Sequence, residues 1–177
     1  MTSSGPKAVL VGLPGSGKTS AGRRLAAMLD VPFADSDDLV ERHTGRSVAE
    51  IFAADGEDGF RRVEAQVVAE SLSSFPGVLS LGGGAVLAAS TRDALRSSGV
   101  PVVHLTTRVA TLTGRVGDGR SRPLLVGNPA SKLAVLSAAR DPLYREVATV
   151  VVDTERRSIR RVADVIADQL GLAVSQQ

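Results

Sequence analysis

The 177-residue chain contains no cysteine. That excludes both a disulfide framework and a thiolate metal site. Aromatic residues are scarce, four phenylalanines and one tyrosine, too few for a stacking platform for nucleic acid. Lysine is nearly missing: among 21 basic residues only Lys7, Lys18 and Lys132 are not arginine. The arginines are scattered, not run together, and the net charge is only +2, so no basic stripe for a polyanion is present. No apolar run approaches the ~20 residues of a membrane span. Met1–Pro6 lacks the charged-then-apolar plan of a signal peptide and reads as a disordered tip. These absences lead to an expectation of a cytoplasmic protein with no nucleic-acid and no membrane partner. The two histidines, His43 and His104, are too few and too separated to make a metal site, and His104 reads as packed within a strand.

What is present is an ordinary soluble balance, 43% hydrophobic and 23% charged residues, long enough for one domain with a real core. Arginine-for-lysine usage suits planar, bidentate recognition of phosphate and carboxylate; a genomic bias towards arginine would give the same count. Short apolar strands alternate with helical stretches. Strands are expected at Ala8–Val11, Val31–Ala34, Val78–Leu81, Val102–Leu105 and Val147–Val152. Ala21, Leu25 and Leu29 form a helix face after the first strand. Ser47 to Glu50 reads as a capping box opening a short helix that stops near Gly56. Phe60, Val63, Val67 and Leu72 mark the next helix face, and Ser158 caps a final helix with Gly171 past its end. Strands separated by helices imply βαβ units and a parallel sheet covered on both faces. Residues 35–61 and 114–129 read as less tightly packed and able to move.

Gly12-Leu13-Pro14-Gly15-Ser16-Gly17-Lys18-Thr19 fits the phosphate-loop pattern G-x-x-x-x-G-K-[ST] in full, between a strand and a helix. Its glycines let backbone N–H groups turn inward around an anion, and the helix N-terminus adds a favourable dipole. Lys18 can reach β- and γ-phosphates, and the Thr19 hydroxyl can ligate Mg²⁺. No Asn-Lys-x-Asp base reader of guanine-specific switches occurs, and a motor or transporter ATPase needs more chain. A small phosphotransferase fits. Such an enzyme must also bind an acceptor, exclude water and neutralise charge as the phosphoryl group moves.

Further motifs follow in order: Asp35-Ser36-Asp37, Phe60-Arg61-Arg62-Val63-Glu64, Gly82-Gly83-Gly84, Arg122-Pro123-Leu124-Leu125 and Arg140-Asp141-Pro142-Leu143-Tyr144. On residue type alone, Arg61 and Arg140 could be surface ion pairs and the three glycines a bare tight turn. Taken together over residues 7–170, the chain resembles the shikimate kinases. That resemblance implies a P-loop NTPase of the nucleoside-monophosphate-kinase type: an α/β domain spanning residues 1–177, with a five-stranded parallel sheet flanked by helices. It also implies a substrate-binding region near residues 35–61 and a mobile lid near 114–129. The implied reaction moves the ATP γ-phosphoryl group to the 3-hydroxyl of shikimate, with Mg²⁺, in a monomeric enzyme of aromatic amino-acid biosynthesis.

By resemblance, Gly12, Pro14, Gly15, Ser16, Gly17, Lys18 and Thr19 hold the ATP phosphates, and Arg115 and Arg157 flank the adenine. Arg122 is the lid arginine that stabilises charge in the transition state. Arg61 and Arg140 hold the substrate carboxylate, and Phe60, Gly82, Gly83 and Gly84 line the substrate; by helix spacing alone, Glu64 lies on the same face three residues after Arg61, placed to orient it. Asp37 faces the acceptor hydroxyl, and Asp35 joins the metal shell through water beside Thr19. If residues 35–37 are extended, Asp35 and Asp37 point to one side, while Asp38 serves only the next helix's first turn. Family members often carry proline where this chain has Ile159. The rivals are another small-molecule kinase on this fold, such as a gluconate or nucleoside-monophosphate kinase, and a non-catalytic nucleotide-binding module.

Overall fold

The structure is a computed structural model that describes residues 5–116 and 127–174. Its strands are β1 (Ala8–Val11), β2 (Phe33–Asp35), β3 (Val78–Ser80), β4 (Val102–Thr106) and β5 (Val150–Asp153). They form one sheet in the order β2-β3-β1-β4-β5, and every neighbouring pair is parallel. The helices are α1 (Lys18–Leu29), α2 (Ser36–Thr44), α3 (Val48–Ser74), α4 (Ala89–Ser98), α5 (Val109–Val116), α6 (Pro129–Val147) and α7 (Ile159–Gln169), with a 3₁₀ turn at Ala85–Leu87.

The central strand β1 is buried at all four positions, which is why it reads as a continuous apolar run without alternation. Side chains on one sheet face, among them Val9, Leu79 and Val102, pack with Leu95, Leu133 and Tyr144. Those on the other, among them Leu10, Val103 and Val152, pack with Leu25, Val162 and Ile166. After β1 the chain builds β2 and β3 on one flank, then β4 and β5 on the other. The turn leaving β1 therefore lies at the switch point of the sheet, where ligands of open α/β folds bind.

Several expected boundaries move. Val31 bonds back to α1, its N–H donating to the Ala26 carbonyl, so β2 begins at Phe33 and ends at Asp35. Val147 closes α6, and the last strand starts at Val150. Helices α4, α5 and α6 had no matching expectation. The break near Gly56 is real: α3 runs through it, but Gly56 has φ 70 and ψ −177, so the axis is interrupted there. Residues 35–61 are better packed than expected. Val40, Ile51, Phe60 and Val67 form a third buried cluster, with Val40 and Ile51 almost fully withdrawn from solvent. This cluster gives the arm made by α2 and the first half of α3 its own small core.

Candidate active site

The phosphate loop joins β1 to α1. Gly12 has φ +151, and a Cβ there would sit 2.6 Å from the Leu105 carbonyl oxygen, so both conformation and space require glycine. Gly17 is the N-cap of α1 and offers no side-chain cap, leaving the first-turn N–H groups of the helix for an anion. The Lys18 ammonium arches back over the loop, donating to the carbonyls of Gly12 (2.8 Å) and Leu13 (3.0 Å). Gly15, Ser16, Gly17, Lys18 and Thr19 line a cleft of about 390 Å³ with Arg115, Arg157, Ile159 and Val162. Arg115 donates to the Gly15 carbonyl at 3.4 Å. Ile159 stands about half exposed at the mouth of this cleft. Arg122, and with it residues 117–126 of the expected lid, lies outside the described residues.

The acidic motif is built differently from its sequence expectation. Asp35 is the N-cap of α2, its carboxylate accepting from the Asp37 N–H at 3.1 Å. Asp37 therefore stands on the first helical turn and not in an extended segment, because a carboxylate at an N-cap takes up an orphan backbone donor. Asp35 and Asp37 come together through that cap, not through strand alternation. The other Asp35 oxygen lies 3.4 Å from the Thr19 hydroxyl. A hydroxyl and a carboxylate side by side suit a hard divalent cation. Among the described residues no cluster of three or more His, Asp or Glu forms a dedicated metal cage. Asp38 is exposed.

Across the cleft Arg61 donates to Glu64 at 2.6 Å, one helical turn away on α3. Its guanidinium also lies 5.1 Å from the centre of the Phe60 ring. That ring is buried in the third cluster and stacks near Phe52, so it supports Arg61 from below. A Cβ on Gly84 would collide with the Arg61 guanidinium, and one on Gly83 would lie 3.4 Å from an Arg140 nitrogen and 3.2 Å from Pro14. The glycine turn thus touches Arg61, Arg140 and the phosphate loop at once. Arg140 is only 4% exposed, and among the described residues no carboxylate pairs with it. Arg62 is exposed.

Ser36, Glu155 and Tyr144 carry no site role in the sequence reading, which takes Tyr144 as structural, yet all three make contacts of this site. Ser36 is fully buried, and its hydroxyl accepts from the Gly82 N–H at 2.8 Å. One of the three glycine donors is therefore committed to the protein. Glu155 accepts from the hydroxyls of Thr107 (2.8 Å) and Thr111 (2.9 Å), tying the loop that carries Arg157 to the start of α5. Tyr144 donates to the Gly83 carbonyl at 2.5 Å. None of these pairings leaves a local pattern, since the partners lie 46, 48, 44 and 61 residues apart.

The buried carboxylates are electrostatically strained. Burial raises the Asp37 pKa, Asp35 adds to the rise, and Arg61 opposes it. Glu64 is pushed up to about 7, first by burial; Arg61 pulls it down, and Asp37 and Asp35 raise it further. The short Arg61 contact favours the charged form, but the desolvation of a carboxylate 1% exposed outweighs it. The folded pKa lies above the unfolded one, so the native state holds the extra proton between roughly pH 4.5 and 7. Stability from Glu64 is then present below that window and lost as pH rises through it. Denaturant titrations should show unfolding free energy falling from pH 5 to 7.5 by up to about 3 kcal/mol. Glu64→Gln should flatten that slope; an unchanged slope in the variant would contradict this origin.

The family model for shikimate kinase matches residues 14–171. A shikimate kinase of Mycobacterium avium is 51% identical over 166 residues, covering 93% of each chain. The structure of Acinetobacter baumannii shikimate kinase in complex with shikimate superimposes with a TM-score of 0.87 at 41% identity, covering 95% of this chain and 94% of that one. A gluconokinase from Sinorhizobium meliloti covers 97% of this chain and 98% of that one, but with a TM-score of 0.63 at 26% identity. The chain belongs to the shikimate kinase family.

Proposed function

We propose that this enzyme transfers the γ-phosphoryl group of ATP to the 3-hydroxyl of shikimate, giving shikimate 3-phosphate and ADP for aromatic amino-acid biosynthesis. One observation carries the assignment of the acceptor site: two guanidiniums, Arg61 and the buried Arg140, which meets no carboxylate among the described residues, converge on the Gly82–Gly84 turn beside Asp37. A withdrawn cation without a protein anion calls for an anionic ligand, and a guanidinium fork fits the planar carboxylate of shikimate. Phe60 supports Arg61, and Gly82, Gly83 and Gly84 leave room for the ring.

In this reading Gly12, Pro14, Gly15, Ser16 and Gly17 wrap the ATP phosphates, while Arg115 and Arg157 flank the adenine. Lys18 swings from its loop carbonyls onto the β- and γ-oxygens. Thr19, directly, and Asp35, through water, would hold Mg²⁺, which when bound would supply charge neutralisation to the phosphoryl group being transferred. Asp37 orients the acceptor hydroxyl and takes its proton as the new O–P bond forms and the bond to ADP breaks. Its raised pKa suits that task. Arg122, from the lid near 114–129, stabilises the transferring group, and closure excludes water. The arm at residues 35–61 presents the acceptor within a single kinase domain. The reading extends to a monomer in the cytoplasm, without nucleic-acid or membrane partners. Its support is the near-neutral charge balance and the fact that no helix among the described residues is long and apolar enough to cross a membrane.

A coupled assay should show ADP formation that depends on shikimate. ADP release that shikimate leaves unchanged, or equal turnover of gluconate or a nucleoside monophosphate, would overturn the acceptor assignment. Asp37→Asn should lower kcat by roughly 10²-fold or more with a much smaller change in shikimate KM. Wild-type turnover in that variant would remove Asp37 from the chemistry.

A further inference from the structure

Tyr144 is the single tyrosine of the chain and is 1% exposed. It lies one helical turn after Arg140 on α6, on the same face. Its hydroxyl donates to the carbonyl oxygen of Gly83 at 2.5 Å. The Arg140 guanidinium stands beside the same phenol oxygen and favours its charged form, although burial as the dominant effect pushes the phenol up to about 12. A Cβ on Gly83 would lie 3.4 Å from Arg140. The phenol oxygen therefore sits where the helix supplying one arginine meets the turn supplying the glycines.

The ring itself is held. His104, buried on β4, faces it at 5.0 Å between ring centres. Nε2 of His104 lies 3.8 Å from the Asp141 carboxylate, but burial lowers the imidazole to about 4, so it is neutral at physiological pH. The tyrosine is thus packed on an uncharged surface with its hydroxyl as its polar end. A buried tyrosine hydroxyl needs a partner, and a purely structural partner would be any nearby carbonyl. Here the partner is the middle glycine of the turn, next to the arginine without an acid.

We propose that the Tyr144 hydroxyl is a positioning group for the acceptor. By donating to the Gly83 carbonyl while standing against Arg140, it fixes the distance and angle between the guanidinium and the glycine turn. The phenol touches neither substrate; it acts through Arg140 and Gly83. This inference rests on the reading of Arg140 as the carboxylate ligand. Removing the hydroxyl leaves the turn and the arginine free to move apart, which weakens binding of ground state and transition state alike. Such a loss appears in KM and not in kcat.

The test is Tyr144→Phe, which keeps the ring packed against His104, assayed by steady-state kinetics well below its thermal midpoint. The expected result is a roughly ten-fold rise in shikimate KM, with kcat and ATP KM within about two-fold of wild type. In an Arg140→Lys background, which cannot form the same fork, the extra effect of Tyr144→Phe should shrink. Unchanged shikimate KM, equal rises in both KM values, or full additivity with Arg140→Lys would each overturn the inference and leave the proposed reaction standing. Absence of shikimate-dependent turnover in the wild type would overturn the reaction, and this inference with it.

Discussion

Arg140 is a guanidinium taken out of water with no carboxylate to meet it among the described residues. Holding such a charge inside a protein is costly unless it is hydrogen-bonded and an anion eventually pairs with it. Much of the acceptor side can be understood as the scaffold for that charge. Helix α6 carries it, Tyr144 stands beside it one turn on, and the glycine turn approaches it because side chains there would fill the space. Arg61 differs in being already paired with Glu64. The two cations are therefore unequal: one is oriented by an acid, and the other has no carboxylate partner among the described residues.

The phosphate side is organised by the sheet. β1 is the central strand, and its C-terminal end opens into the loop that α1 continues. β2 and β3 end on the same edge, so Asp35 and Gly82 lie next to that loop. Parallel pairing makes this convergence automatic, since all strand C-termini share one edge. Ser36 and Thr19 then lock the details, one to Gly82 and one towards Asp35. The two halves of the site meet where Gly83 would touch both Pro14 and Arg140.

The phosphate loop was legible in the sequence because its geometry is local: eight consecutive residues contain the turn, the cation and the hydroxyl. The capping box of α3, the Ser158 cap of α7 and the break at Gly56 were legible for the same reason. The acidic motif was half legible. Its residues were identified, but a helix starting at Ser36 replaced the extended segment, because Asp35 caps its own successor. The roles suggested for Arg61 and Arg140 came from resemblance to a family, since arginine spacing alone says nothing of a shared cleft. Long-range pairings such as Tyr144 with Gly83, and Glu155 with Thr107, have no sequence period to reveal them.

Arg140, buried and without a carboxylate partner among the described residues, is the proposed anion site for the acceptor. Calorimetric titration of shikimate into the wild type and into Arg140→Gln tests it without requiring turnover. The expected result is saturable binding to the wild type and a dissociation constant raised at least about ten-fold, or roughly 1.4 kcal/mol, in the variant, with ATP binding preserved. Equal shikimate affinity in a folded Arg140→Gln protein would contradict it.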